Sequence, residues 1–70
     1  MHNRIQVDST VIAAVAYSAE ALDIDFTSGA RYRYFGVPEQ VFHELLSADS
    51  KGAFFNHHIK PHYRCIKLDA

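Results

Sequence analysis

Between Leu22 and Tyr34 the chain is written as the two faces of a hairpin. Leu22, Ile24 and Phe26 alternate with Asp23 and Asp25, and beyond Thr27-Ser28-Gly29 the residues Tyr32 and Tyr34 alternate with Arg31 and Arg33. Period-two alternation sends successive side chains to opposite faces of a strand. With Thr27-Ser28-Gly29 as a three-residue loop, Leu22 faces Tyr34, Ile24 faces Tyr32 and Phe26 faces Ala30, while Asp23 meets Arg33 and Asp25 meets Arg31. A two-residue Ser28-Gly29 loop would set Asp25 against Tyr32 and Ile24 against Arg33, mixing the faces. A slip of one residue moves a whole apolar set to the wrong side, so the three-residue loop is preferred. Such loops commonly end on a left-handed residue, a place suited to Gly29. Each exposed cross-strand charge pair contributes only about 0.2–1 kcal/mol, so these pairs select register more than they add stability.

The rest of the chain extends this hairpin. Ile5 and Val7 read as a short extended lead-in, and Asp8-Ser9-Thr10 as a turn. Val11 to Tyr17 is small, β-branched and nearly all apolar, a strand covered at least partly on both faces. Ser18-Ala19-Glu20 turns it into the Leu22–Phe26 strand. After Gly36, Pro38 at the first helical position opens a helix whose Val41, Phe42, Leu45, Leu46 and Ala48 form one apolar stripe. Ser50 is the N-cap of a second helix from Lys51 to about His58, and Pro61 stops it by Lys60. Tyr63 to Leu68 reads as a short strand or extended tail. The expected architecture is α+β: a three-stranded antiparallel meander with two short helices on one face and a short C-terminal strand. The helices cover the Leu22/Ile24/Phe26 face, which carries Tyr32 and Tyr34 with it.

Composition narrows the function classes. The 70 residues make one domain with a modest core. At 49% apolar the chain is not a disordered tail. Seven basic and eight acidic residues, for a net charge of −1, argue against a generic polyanion binder and leave room for a local basic patch. A lone Cys65 forms no internal disulfide, and no apolar run approaches the roughly 20 residues that span a bilayer, so a soluble cytoplasmic protein is expected, with no membrane partner.

In order and spacing, several motifs resemble one family. They are Val15-Ala16-Tyr17, Leu22-x-Ile24-x-Phe26-x-x-Gly29, Tyr32-x-Tyr34, Val37-Pro38, Ala48-x-Ser50-x-Gly52-x-Phe54-Phe55-Asn56-x-x-Ile59-Lys60, and Tyr63. Together they resemble the KTSC domain, which occurs at the C-terminus of some lysyl-tRNA synthetases and as a stand-alone bacterial protein. The resemblance covers residues 7 to 64. It implies a stand-alone module built around a Tyr-x-Tyr pair, with no established enzymatic activity and a role in binding RNA of the tRNA type.

Each chemical candidate has a plainer counterpart. Tyr32 and Tyr34 either stack bases beside basic residues or pack beneath the helices, and the register favours packing. Arg31 and Arg33 then lie on the open face, where Asp25 and Asp23 neutralise them. From Lys51 onward, Lys51, Lys60, Arg64 and Lys67 stand against the single acid Asp69, the best electrostatic case for an anionic partner. His57, His58, His62 and Cys65 match no standard metal spacing. Cys65 lacks the neighbours that activate a thiol, Asn56 is read as a backbone-bonding amide, and Asp23 and Asp25 face arginines rather than a substrate. No catalytic residue, metal or cofactor is expected. The leading reading is an RNA-binding module acting through Arg31, Arg33, Lys51, Lys60 and Arg64, with Tyr32, Tyr34 or Tyr63 stacking where exposed. The alternative is an interaction or inhibitor module. It would bind a larger protein, or a second copy of itself, through a sheet edge or the aromatic surface around Phe54 and Phe55.

Overall fold

The structure is a computed structural model that describes residues 4–68. Its elements are β1 (Ile5–Gln6), β2 (Ile12–Ser18), β3 (Ala21–Phe26), β4 (Arg31–Phe35), α1 (Glu39–Ser47), α2 (Lys51–Phe54) and β5 (Cys65–Lys67). The strands form one five-stranded antiparallel sheet in the order β1-β2-β3-β4-β5. The expected three-stranded meander is thus the centre of a wider sheet, with the expected short C-terminal strand paired on one edge as β5. The extended lead-in pairs on the other edge as β1, a strand of two residues, too short for its own sequence to declare a period.

The central hairpin has the expected register. Leu22 pairs with Tyr34, Asp23 with Arg33, Ile24 with Tyr32 and Asp25 with Arg31. Phe26 N–H donates to the Ala30 carbonyl at 2.8 Å, and Gly29 closes the loop at φ +101°, where a side chain would be strained. The β2–β3 connection has only Ala19 and Glu20 between its strands, with φ of +52° and +65°. Positive φ at both central residues is the geometry of a type I′ turn, which ordinarily selects Asn or Gly. Glu20 is held there by its carbonyl, which accepts the Val37 amide at 2.9 Å. A bulge between Ile12 and Ala14 then resets the alternation of β2, so that Ile12 and Val15 both reach the helix side.

Helix α1 begins at Glu39, with Pro38 as the extended cap at ψ 149° rather than the first helical residue. Its Phe42 and Leu45 are buried against the sheet. Ser50 caps α2 by accepting the Ala53 amide at 3.2 Å. The helix then widens into a π-helical turn, Phe55–Ile59, closed by the Lys60 amide on the Phe55 carbonyl at 2.9 Å. Gly52 faces β2 so closely that a Cβ there would sit 3.3 Å from Val11 Cγ2.

The core lies between the sheet and the helices. Ile12, Val15, Leu22, Ile24, Val37, Leu45 and Ile59 are fully buried, joined by Tyr34, Phe42 and Phe55. Each such side chain contributes about 1.5–3 kcal/mol on leaving water. Tyr17 stacks on Phe42 at 4.9 Å and donates its hydroxyl to the Val37 carbonyl at 2.6 Å, tying β2 to the start of α1. No helix among the described residues is long and apolar enough to cross a membrane.

Candidate functional site

The residues singled out from the sequence fall on separate surfaces. Arg31 and Arg33 project from β4 away from the helices and engage acids on β3. Arg33 grips Asp23 with two bonds, Nε to Oδ1 at 2.7 Å and Nη2 to Oδ2 at 3.0 Å, while Arg31 Nε meets Asp25 Oδ1 at 3.2 Å. Arg4 joins them from the first strand's side, with Nε 3.1 Å from Asp25 and Nη2 3.9 Å from Asp23. Asp23 is only 6% exposed, and its bond pushes the pKa of Arg33 up further. Three guanidiniums therefore share two carboxylates, and the charge that Arg31 and Arg33 bring to this face is already spent on Asp25 and Asp23.

Tyr32 and Tyr34 lie on the opposite, helix-covered side. They meet Phe26 of β3 and Phe55 of the π turn in a closed circuit of ring contacts. Phe26–Tyr32 is 6.0 Å, Tyr32–Tyr34 6.4 Å, Tyr34–Phe55 5.3 Å and Phe55–Phe26 5.2 Å between centroids. Three of the four are edge-on, with interplanar angles of 70–78°, the arrangement that ring quadrupoles prefer. Tyr34 is buried, and burial is the main reason its hydroxyl pKa is raised, with the adjacent Cys65 adding to the shift. Tyr32 is half-buried.

These rings floor an open cavity of about 470 Å³ between the sheet and the second helix. Asn56, Lys60 and Cys65 supply its polar wall, and Val11 closes one end. Asn56 and Lys60 both come from the π turn and its cap, four positions apart. No carboxylate of the described residues lines this cavity. Lys67 lies opposite Tyr32 in the sheet and so belongs to the same face. The Asn56 side chain, read from the sequence as a backbone-bonding amide, is exposed and makes no hydrogen bond among the described residues.

The remaining candidates lie elsewhere. Lys51 donates to the Ala48 carbonyl at 3.0 Å and lines a polar cleft of about 320 Å³ with Asp8, Thr10 and Asp49. Arg64 borders a small cleft of about 210 Å³ with Phe35 and Ile66. Tyr63 is half-buried and packs against the core. Phe55 is buried and Phe54 half-buried, so these two do not form the exposed aromatic surface expected of them. The exposed large apolar side chains are instead Ile5, Val11, Phe35 and Ile66. The histidines do not converge, and among the described residues no group of three or more His, Cys, Asp or Glu side chains is placed to hold a metal ion. Sequence reasoning passed over Phe26 as a site residue, weighed Phe55 only as part of a protein-binding surface and read Asn56 as a backbone-bonding amide. The signal was present in the i, i+4 spacing of Asn56 and Lys60 beside a Tyr-x-Tyr strand, but which strand the second helix covers is set by tertiary packing.

Comparison with known proteins places this arrangement among relatives. A protein from Tsukamurella paurometabola is 42% identical over 64 residues, covering 89% of this chain and 96% of its own length. The lysine–tRNA ligase of Nostoc punctiforme is 37% identical over 66 residues, which are 91% of this chain and 12% of the ligase. The crystal structure of a KTSC domain protein from Yersinia pestis superposes with a TM-score of 0.93 at 35% identity, covering 99% of this chain and 100% of that one. The family model described as KTSC domain matches residues 8–63, from the turn before β2 to Tyr63, which packs against the core ahead of β5. With the hairpin, the tyrosine pair and the capped second helix all inside that match, the chain belongs to the KTSC domain family.

Proposed function

We propose that this chain is a non-enzymatic module that binds single-stranded RNA on the cavity face of the sheet. The observation that carries this reading is the convergence of Tyr32, Tyr34 and Lys60 on one cavity that no carboxylate of the described residues lines. Aromatic surface beside unpaired cations is how single strands are held without strict sequence preference. The open face suits RNA less well, because a phosphate there would compete with Asp23 and Asp25 for the guanidiniums. The relatives named lysine–tRNA ligase, matched over 36–37% identical segments, support an RNA context. An interaction module remains the second reading. It is favoured by Phe35 and Ile66, which are 42% and 49% exposed and adjoin one another at the β4–β5 side of the open face.

Salt separates the two. Fluorescence anisotropy with labelled tRNA and single-stranded RNA should give a Kd on the order of micromolar at low salt. For single strands, log K should fall with log salt by about 0.7 per neutralised phosphate. Binding that ignores salt would point to the apolar patch, and no binding at low salt would remove the RNA reading.

A further inference from the structure

We infer that the aromatic cavity is a one-nucleotide site, taking a single unpaired nucleotide of an RNA strand: base in the cavity, phosphate at Lys60. The inference rests on the RNA reading above and sharpens it from a face to a pocket.

The lining specifies the ligand from three directions. The floor is π surface, so the buried part of the ligand is flat and aromatic or broadly apolar. The half-buried Tyr32 and the rings beneath it give a base a stacking or edge-on partner whichever base it is. The Asn56 amide carries both donors and an acceptor and is unengaged among the described residues, so it matches a group with a mixed hydrogen-bonding edge rather than a hydrocarbon. Among the described residues, the exposed Lys60 has no ion pair and no carboxylate lines the cavity where it stands, so the part of the ligand outside the cavity is anionic. A flat ring with a polar edge and an anionic tail is a nucleotide. The volume of about 470 Å³ lies in the roughly 300–1,000 Å³ range of small-ligand sites. The lining runs only from Val11 and Phe26 across the tyrosine pair to Cys65, an extent and volume that suit one base rather than a stacked run.

The test is a titration of the full chain followed by amide ¹H–¹⁵N shifts, with a single-stranded RNA hexamer, the four nucleoside 5′-monophosphates and inorganic phosphate as separate probes. The hexamer should move the amides of Phe26, Tyr32, Asn56, Lys60 and Cys65. Monophosphates should move the same set but bind at least about tenfold more weakly, and inorganic phosphate should not move the ring residues. Lys60→Ala and Asn56→Ala alter exposed side chains and should each weaken the hexamer several-fold. Tyr32→Leu, which keeps apolar volume but removes the ring, should weaken it about tenfold. Replacing one base of the hexamer with an abasic site should be tolerated at most positions, since a single base is needed. If the hexamer binds while Tyr32→Leu and Lys60→Ala leave its affinity unchanged, the pocket is wrong and the RNA reading stands. Equal affinity for hexamer and monophosphate would overturn the strand as the source and assign a free nucleotide. If neither binds, both readings fall together.

Discussion

Tyr34 shows how one residue serves fold and site at once. Its ring is buried between Tyr32 and Phe55, and its hydroxyl lies beside Cys65 at the floor of the cavity. Burial raises its pKa above the ordinary value of about 10. Tyr17 is shifted the same way, first by burial and then by Glu20 and Glu39. A raised folded-state pKa stabilises the fold fully below the unfolded value, and that stability is lost as pH rises through and beyond it. Absorbance at 295 nm during alkaline titration should therefore show Tyr17 and Tyr34 ionising late, together with loss of the fold. Tyr34→Phe should remove part of the late step, and a native state whose tyrosines all titrate near pH 10 would contradict this packing. The packing itself was legible in advance, because the register forces Tyr32 and Tyr34 onto the apolar side. The roles of Phe55 and Asn56 were not, because a helix stripe shows which residues are buried and not which strand they meet.

The β3–β4 hairpin was the most readable element, since two independent alternations, apolar and ionic, agree on one register. Its ion pairs are unequal in a way the sequence does not state. Asp23 is nearly buried and doubly bonded to Arg33, whereas Asp25 meets Arg31 and Arg4 with its side chain 20% exposed. Asp23→Ala should accordingly cost about 1–3 kcal/mol in urea denaturation, because it removes the two charge-assisted hydrogen bonds that Arg33 makes to a nearly buried carboxylate. Asp25→Ala should cost less than about 1 kcal/mol. Equal losses at the two positions would show that the inner pair is no better shielded than the outer one. The short C-terminal strand was expected, and β5 pairs with β4. What stayed open is geometry imposed from outside: the lead-in at Ile5 becomes a strand because β2 offers it an edge, and the Ala19-Glu20 turn takes positive φ without the residues that usually announce it.

At the scale of the whole molecule the sheet separates two charge environments. On the open face three arginines are tied to two aspartates, and on the helix side Lys60 stands over an aromatic floor in a cavity lined by no acid of the described residues. A near-neutral net charge of −1 conceals this division, which is why composition argued against RNA while the arrangement argues for it. Reading the fold class from the sequence succeeded because it depends on local pattern. Where the basic residues stand relative to one another was not legible, because Arg31, Lys51, Lys60 and Arg64 are brought to different surfaces by the meander and the helix that crosses it. The most direct measurement compares Lys60→Gln with Arg31→Gln, two exposed substitutions that each remove one positive charge, in binding single-stranded RNA across a salt series. The cavity-face account predicts that Lys60→Gln weakens binding and makes the log–log salt slope shallower by about one contact's worth, while Arg31→Gln leaves both nearly unchanged. The opposite pattern, with Arg31→Gln costly and Lys60→Gln silent, would move the interface to the open face and contradict the account.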